Sequence, residues 1–193
     1  GDTAVSPGSG EAALRAAGAV VAAVDAVCRG EAKNAFCAVR PPGHHAESDQ
    51  AMGFCLFNNV AIGALHARAT HGLSRVAVID FDVHHGNGTQ HMFERDPHLF
   101  YASTHQWPLH PGTGAQREVG VGNIVNAPLR PHSGGLEFRA AFTNRILPAL
   151  DKFAPELVII SAGFDAHEDD PLASLMLHEQ DYEWVTAALA EVA

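Results

Sequence analysis

The chain has 193 residues, of which 12 are basic, 22 are acidic and 47% are hydrophobic, so its formal charge is −10. This composition excludes disordered and collagen-like proteins and favours one globular domain. The negative charge argues against a nucleic-acid partner, and no apolar stretch reaches the roughly 20 residues that a membrane-spanning helix needs. Three cysteines without a Cys-x-x-Cys pair indicate no disulfide framework and no cysteine zinc site, so we expect a cytoplasmic protein. The sequence leaves the oligomeric state open.

Helix-like and strand-like segments alternate along the chain after residues 1–10, which look like a loose terminus. In chain order we predict helix, strand, helix, strand, helix, strand, strand, helix, strand and helix, over residues 11–29, 35–39, 58–71, 75–81, 89–95, 99–104, 123–127, 135–153, 156–161 and 178–192. Asn58 or Asn59 can cap the second helix, and Pro148 is expected to kink the fourth. Because the strands are almost continuously apolar, we predict a mostly parallel sheet between two helical layers, a three-layer α/β/α fold. Ligands of such folds bind beyond the carboxyl ends of the strands.

One segment at such a strand end combines carboxylates with histidines. It reads Ile-Asp-Phe-Asp-Val-His-His-Gly-Asn-Gly over residues 79–88. An extended chain sends alternate side chains to one face, which places Asp80, Asp82 and His84 together. Burying these groups is costly unless a cation compensates them, so a divalent metal is one interpretation. The other is that Asp82 caps the next helix and the histidines are solvated, and this segment alone leaves both open.

Two further strand ends favour the metal. Asp165 follows the apolar segment 156–161, and His44 with His45 follows the segment 35–39. Taken singly, Asp165 could cap a helix and the two histidines could form a polar turn. Catalytic zinc takes three protein ligands and keeps one position open, a number that Asp82, His84 and Asp165 would supply. Oxygen and nitrogen ligands suit Zn²⁺ and also Fe²⁺ or Co²⁺.

Five separated motifs resemble the zinc-dependent histone deacetylase family, in the order in which that family has them. They lie at residues 40–46 (Arg-Pro-Pro-Gly-His-His-Ala), 53–54 (Gly-Phe), 80–88, 111–114 (Pro-Gly-Thr-Gly) and 162–172, which begins Ala-Gly-Phe-Asp-Ala. The spellings look most like the class II branch and the bacterial acetylpolyamine amidohydrolases. The resemblance covers nearly the whole chain and implies the fold shared by arginases and deacetylases. It also implies that residues 1–193 are part of a catalytic domain.

The resemblance implies distinct roles for the two histidines that follow segment 35–39. His45 would be the general base that takes a proton from the attacking water, with Asn87 as its partner. Because Asn87 carries an amide where other branches carry a carboxylate, it should leave His45 neutral. His44 would hold positive charge and be oriented by Asp80.

The resemblance also implies three binding sites. The metal ligands would be Asp82, His84 and Asp165. The substrate tunnel would be lined by Gly53, Phe54 and His110, where His110 replaces the usual aromatic wall and could equally be a solvated loop residue. A structural K⁺ would use Asp80, Asp82, His84, Ser103 and Thr104, partly through backbone carbonyls.

The activity implied is hydrolysis of acetyl or other acyl amides on protein lysine side chains or on amines such as polyamines, without a covalent intermediate. The family tyrosine that follows a Gly-Gly pair has no match, because Gly134-Gly135 precedes Leu136 and the chain stops at Ala193. We therefore expect an unclosed site and a chain that is weakly active or inactive by itself. Two alternatives stay open: a metal-binding fragment without turnover, and a ureohydrolase-like enzyme with two Mn²⁺ ions. The second is disfavoured because Gly86 and His167 stand where a second metal would want carboxylates.

Overall fold

Four apolar segments form one parallel sheet in the computed structural model, which describes residues 2–193, so Gly1 lies outside the described part of the predicted loose terminus. Neighbouring strands are parallel throughout, and their order across the sheet is β3-β2-β1-β4. The strands are β1 (Val76–Asp80), β2 (Leu99–Gln106), β3 (Ile124–Leu129) and β4 (Leu157–Ser161). The predicted α/β architecture with a parallel sheet is confirmed.

Helices cover both faces of this sheet because each strand is apolar on both sides. In β1, Ala77 and Ile79 pack into one hydrophobic cluster, while Val76 and Val78 pack into a second cluster. The helices are α1 (Ser9–Cys28), α2 (Asn59–His71), α3 (Asn87–Phe93), α4 (Gly135–Ala141), α5 (Leu147–Phe153) and α6 (Glu179–Ala190). The first cluster lies under α4, α5 and α6, and the second lies under α1, α2 and α3. Among residues 2–193, no helix combines the length and the hydropathy needed to cross a bilayer.

Local signals fix the ends of two helices. The side chain of Asn58 accepts a hydrogen bond of 3.1 Å from the backbone N–H of Ala61, so Asn58 is the N-cap of α2. A five-residue π-helical segment, Phe142–Ile146, separates α4 from α5 directly before Leu147 and Pro148. Pro148 has no N–H with which to continue the α-helical hydrogen bonds, and the irregularity expected there as a kink takes the form of this π-helical segment.

The strand predicted over residues 35–39 is wrong. This segment has no regular secondary structure and pairs with none of the four strands, and Phe36 keeps 77% of its surface exposed. Its contact with the fold is made by Cys37, which packs against the second cluster and whose thiol lies 3.5 Å from the carbonyl oxygen of Ala19 in α1. An apolar run becomes a strand only where a neighbouring strand satisfies its backbone, and within residues 2–193 none does so here.

The register brings the ends of β1 and β4 to one edge of the sheet. Asp80 of β1 lies between Ser103 of β2 and Ser161 of β4. The loops that leave β1 and β4 therefore start side by side, as parallel strands require. This shared edge is where the predicted site residues should be found.

The core under α4 and α5 allows a test of the fold. Phe142 is fully buried, and its ring centroid lies 4.9 Å from that of Phe138, so Phe142→Ala removes a packed aromatic side chain and leaves a cavity. We expect the free energy of unfolding to fall by about 3–5 kcal/mol in urea titrations. Leu136→Ala is the matched control, because Leu136 in the same region is 82% exposed and should change stability by less than about 0.5 kcal/mol. Equal losses in both variants would contradict this packing.

Candidate active site

The chain turns sharply where β1 ends, and its own carboxylates hold the turn. The Asp80 carboxylate accepts a hydrogen bond of 3.1 Å from the backbone N–H of Asp82. The Asp82 carboxylate in turn accepts one of 2.8 Å from the backbone N–H of His84. These local bonds fix the directions of the side chains at the carboxyl edge of the sheet.

The loop after β4 delivers a further carboxylate to the same place. Asp165 Oδ1 accepts a hydrogen bond of 3.0 Å from the backbone N–H of Val83, which ties this loop to the one after β1. His84 Nδ1 lies 3.0 Å from Asp82 Oδ1 and 3.0 Å from Asp165 Oδ2. One ligand atom from each of the three side chains lies within 4.8 Å of the other two. The structure therefore brings Asp82, His84 and Asp165 together.

The chemistry of these three side chains fits a divalent cation. An imidazole Nδ1 carries at most one hydrogen, so it cannot donate to both carboxylates at once. The two carboxylates also favour positive charge on His84: although burial acts to lower its pKa, the nearby carboxylates of Asp165 and Asp82 raise that pKa to about 10. An ion between the three ligands would satisfy both carboxylates, and two oxygens with one nitrogen suit Zn²⁺, Fe²⁺ or Co²⁺.

A glycine after β4 makes this convergence possible. A Cβ added to Gly163 would lie 2.0 Å from Oδ2 of Asp82 and 2.7 Å from its Cβ. Any side chain at this position would displace Asp82 rather than merely rotate its carboxylate. Because residue 163 is glycine, the loop after β4 leaves room for the side chain of Asp82, which comes from the loop after β1.

His44 is held as a cation by buried carboxylates. Its Nδ1 lies 2.9 Å from Oδ2 of Asp80, which is fully buried, and its Nε2 lies 3.9 Å from Oδ2 of Asp82. Burial acts to lower the pKa of His44, but the charges of Asp80 and Asp82 outweigh it and raise that pKa to about 9. The hydroxyl of Tyr101 also donates to Asp80 (3.2 Å), so two donors orient this carboxylate.

His45 is fixed in one tautomer by its neighbours. Asn87 donates through Nδ2 to the carboxylate of Glu47 at 2.7 Å, and a carboxylate can only accept. The other amide atom, Oδ1, therefore faces His45 Nδ1 at 2.8 Å, so Nδ1 carries the hydrogen and donates it. The Nε2 atom of His45 is left with a free lone pair.

The neutrality predicted for His45 has a different main cause from the one expected. Burial, together with the positive charge on His44, whose ring centroid lies 4.0 Å away, lowers the pKa of His45 to about 3. The hydrogen bond to Asn87 acts in the opposite direction. The pair therefore consists of a charged imidazole beside an uncharged one.

Two of the predicted tunnel residues, Gly53 and His110, lie against His45. The ring centroid of His110 lies 5.3 Å from that of His45 and 6.3 Å from that of His84. A Cβ on Gly53 would lie 2.2 Å from Cδ2 of His45, so only glycine permits this close approach. Phe54 has a positive φ of 64° and remains 65% exposed. These residues form one side of the approach to the His45 ring.

Residues near the amino terminus, which looked loose in the sequence, also contact this approach. The Asp2 carboxylate accepts a hydrogen bond of 3.2 Å from the backbone N–H of Gly53, and the Thr3 hydroxyl accepts one of 3.2 Å from that of Phe54. Sequence reasoning missed both residues, and it also missed Glu47. Their partners are 40 or more positions away, so no local pattern could have indicated them.

Two of the residues predicted for K⁺, Ser103 and Thr104, lie in β2, the strand next to β1. Ser103 and Thr104 are buried at the carboxyl end of β2, and Ser103 pairs in register with Asp80. The Ser103 hydroxyl lies 2.9 Å from Nδ1 of His105.

Both tyrosine hydroxyls are engaged elsewhere. That of Tyr101 donates to Asp80 and accepts from the backbone N–H of Gly86 at 3.0 Å, and that of Tyr182 donates to the carbonyl of Phe164 at 3.4 Å. Among residues 2–193, no tyrosine hydroxyl hydrogen-bonds to a member of the ligand set.

The positions that distinguish a two-metal ureohydrolase do not offer carboxylates here. A Cβ on Gly86 would lie 2.5 Å from the Asp80 carboxylate and 2.6 Å from the Tyr101 hydroxyl, so no side chain fits. His167 accepts through Nδ1 from the backbone N–H of Asp169, 3.1 Å away. The geometry favours one metal at this edge of the sheet.

The chain is similar to known deacetylases along its whole length. A family profile described as the histone deacetylase domain matches residues 1–193. The histone deacetylase-like amidohydrolase of Pseudomonas aeruginosa is 44% identical over 199 residues, which cover 100% of this chain and 52% of that protein. The human polyamine deacetylase HDAC10 is 42% identical over 197 residues, covering 97% of this chain and 29% of that protein.

A solved structure agrees. The crystal structure of the HDA15 HD domain superposes with a TM-score of 0.97 at 42% sequence identity, covering 100% of this chain and 56% of that one. In each of these comparisons the chain spans less than two thirds of the other protein's length. With a family profile matched from end to end, the chain belongs to the histone deacetylase family.

Proposed function

We propose that the protein hydrolyses acetyl or other acyl amides on protein lysine side chains or on amines such as polyamines, and that residues 1–193 are part of its catalytic domain. The observation that carries this proposal is the meeting of Asp82, His84 and Asp165 beside a neutral histidine whose Nε2 is free. Family membership supports an amide hydrolase, and the names of two relatives, an amidohydrolase and a polyamine deacetylase, support this substrate class.

Asp82, His84 and Asp165 would hold one Zn²⁺, with Fe²⁺ or Co²⁺ as alternatives. When bound, such an ion polarises an amide carbonyl and lowers the pKa of a water molecule towards about 7. His45 would accept the proton of the attacking water at Nε2, because Nδ1 is occupied by its hydrogen bond to Asn87.

His45 suits this role because it starts unprotonated. A pKa lowered to about 3 leaves the ring neutral at pH 7, so its Nε2 can accept a proton during the reaction. The same Nε2 hydrogen can pass to the departing amine, which leaves the products as a carboxylic acid and a free amine. His44 keeps its charge throughout, since the carboxylates of Asp80 and Asp82 hold it protonated.

The substrate side of the proposal rests on the approach to His45. Gly53, Phe54 and His110 would line the passage for the acyl-amine chain. The formal charge of −10 favours encounter with cationic substrates such as protein tails or polyamines. A K⁺ ion held by Asp80, Asp82, His84, Ser103 and Thr104, and a cytoplasmic location, stay predictions.

A second candidate function is metal binding without turnover. The engagement of both tyrosine hydroxyls favours it, because within residues 2–193 neither is available to stabilise a developing oxyanion. One such donor is typically worth about 10²–10³ in rate. Deacetylation of acetyl-lysine peptides or acetylated polyamines by the full-length protein, abolished by a chelator, would decide for the enzyme.

The general-base role predicts a loss of turnover without a loss of metal. In the full-length protein that carries residues 1–193, His45→Ala should lower kcat by about 10²–10⁴-fold. Metal content, measured by elemental analysis after dialysis, should stay unchanged because His45 is outside the ligand set. His98→Ala, which removes an exposed histidine, is the matched control and should leave kcat unchanged. An undiminished kcat in His45→Ala would remove this residue from the role.

The ligand set predicts a defined stoichiometry. Substituting Asp82→Ala should abolish binding of one Zn²⁺ equivalent, since two remaining ligands hold zinc poorly. Asp169→Ala removes an exposed carboxylate from the loop that carries Asp165 and should leave the bound zinc unchanged. Equal zinc content in the two variants, measured by elemental analysis, is the result that rules out Asp82 as a ligand.

The close approach at Gly163 predicts a purely steric defect. Gly163→Ala should weaken zinc binding by Asp82, His84 and Asp165 at least tenfold, because the new methyl group displaces Asp82. The affinity is measured in competition with a chromogenic chelator. Gly18→Ala is the control: a Cβ there meets nothing within 4 Å, and alanine favours the helix. Wild-type affinity in Gly163→Ala would show that Asp82 can shift without loss.

A further inference from the structure

A second group of metal-ligating side chains lies between α1 and α2, outside the candidate active site. Asp25 of α1 places Oδ1 2.7 Å from Nε2 of His66 and 2.7 Å from Nε2 of His71, both in α2. One ligand atom from each of these side chains lies within 4.8 Å of the other two. We propose that Asp25, His66 and His71 form a binding site for a divalent transition-metal ion, of which Zn²⁺ is the probe of choice.

This group, the α1–α2 cluster, is remote from the candidate active site. The cap of α2, Asn58, donates from Nδ2 to the carbonyl oxygen of Ala46, the residue that follows His45. His71 is the last residue of the same helix, so at 1.5 Å per residue it lies about 20 Å further along α2. No side chain belongs to both groups, and each can be altered separately.

The donor set is that of a metal site with open positions. Two imidazole nitrogens and one carboxylate oxygen are ligands that Zn²⁺, Co²⁺ and Ni²⁺ accept. The three side chains are 15–23% exposed, so water can complete the coordination. Tetrahedral Zn²⁺ with bonds of about 2.0–2.1 Å needs ligand atoms about 3.3 Å apart. The present contacts of 2.7 Å therefore need to widen by only a fraction of an ångström.

Neighbouring groups prepare the ligands. The Thr70 hydroxyl lies 3.2 Å from Nδ1 of His66 and can accept a hydrogen bond from it, which leaves Nε2 of His66 as the free ligand nitrogen. Arg29 contacts the other carboxylate oxygen, Oδ2 of Asp25, at 3.3 Å and leaves Oδ1 to face the histidines. Each contact favours the tautomer or the carboxylate orientation that coordination requires.

The competing interpretation is a hydrogen-bonded staple between the two helices, in which each histidine donates from Nε2 to Asp25. Asp25→Asn separates the two. An asparagine still accepts hydrogen bonds from neutral histidines, but it is a poor ligand because it carries no charge. The staple therefore survives this substitution, whereas a metal site does not.

The experiment measures zinc per chain after equilibrium dialysis, with the site formed by Asp82, His84 and Asp165 either intact or disabled. In an Asp82→Ala background we expect one equivalent of Zn²⁺, and Asp25→Asn, His66→Ala or His71→Gln added to that background should weaken its binding at least tenfold. His98→Ala in the same background is the matched control and should keep the equivalent. Added Zn²⁺ should raise the thermal midpoint of Asp82→Ala, and no such rise is expected once His71 is replaced.

Two results would overturn the proposal. One is an Asp82→Ala protein that takes up no Zn²⁺. The other is an Asp82→Ala protein whose bound ion persists with the same affinity when Asp25, His66 or His71 is changed. Circular dichroism confirms that each variant is folded before it is compared. The outcome does not depend on catalysis, so failure of the proposed deacetylase activity leaves this test intact.

Discussion

The candidate site depends on one constraint: the carboxylates that meet at one edge of the sheet need positive charge beside them. The parallel register places Asp80 at the end of β1, and the loops after β1 and β4 add Asp82 and Asp165 within a few ångströms. Burying carboxylates together is unfavourable unless positive charge and hydrogen-bond donors accompany them. His44, which is protonated between Asp80 and Asp82, supplies part of this positive charge. A divalent ion bound by Asp82, His84 and Asp165 would supply more.

The same constraint explains why two adjacent histidines behave differently. His44 faces carboxylates and gains a proton, whereas His45 faces an amide and the charged ring of His44 and stays neutral. Burial and the adjacent charge of His44 lower the pKa of His45, whereas the carboxylates of Asp80 and Asp82 raise that of His44 against its own burial. In the proposed hydrolysis, this arrangement would supply a fixed charge and a proton acceptor from neighbouring positions.

Sequence reasoning succeeded where the signal was local. The apolar run of β1, the cap at Asn58 and the spacing of Asp80, Asp82 and His84 are each contained in a few residues, and they located the sheet and the site edge. It failed where the outcome depends on distant partners. The strand expected over residues 35–39 lacks a neighbour in the sheet, Asp2 and Thr3 bind a loop 51 positions away, and the neutrality of His45 comes chiefly from burial.

The strand order has a consequence for how the site is assembled. Within residues 2–193, β4 is the last strand along the sequence, yet it pairs with β1, the first, so Asp165 reaches Asp82 and His84 only after the longest loop between paired strands has closed. Such long-range pairing forms late and slowly, because its entropic cost precedes its stabilising contacts. The segments that precede β4 supply two of the three proposed ligands, so the proposed ion site is complete only when β4 has paired with β1.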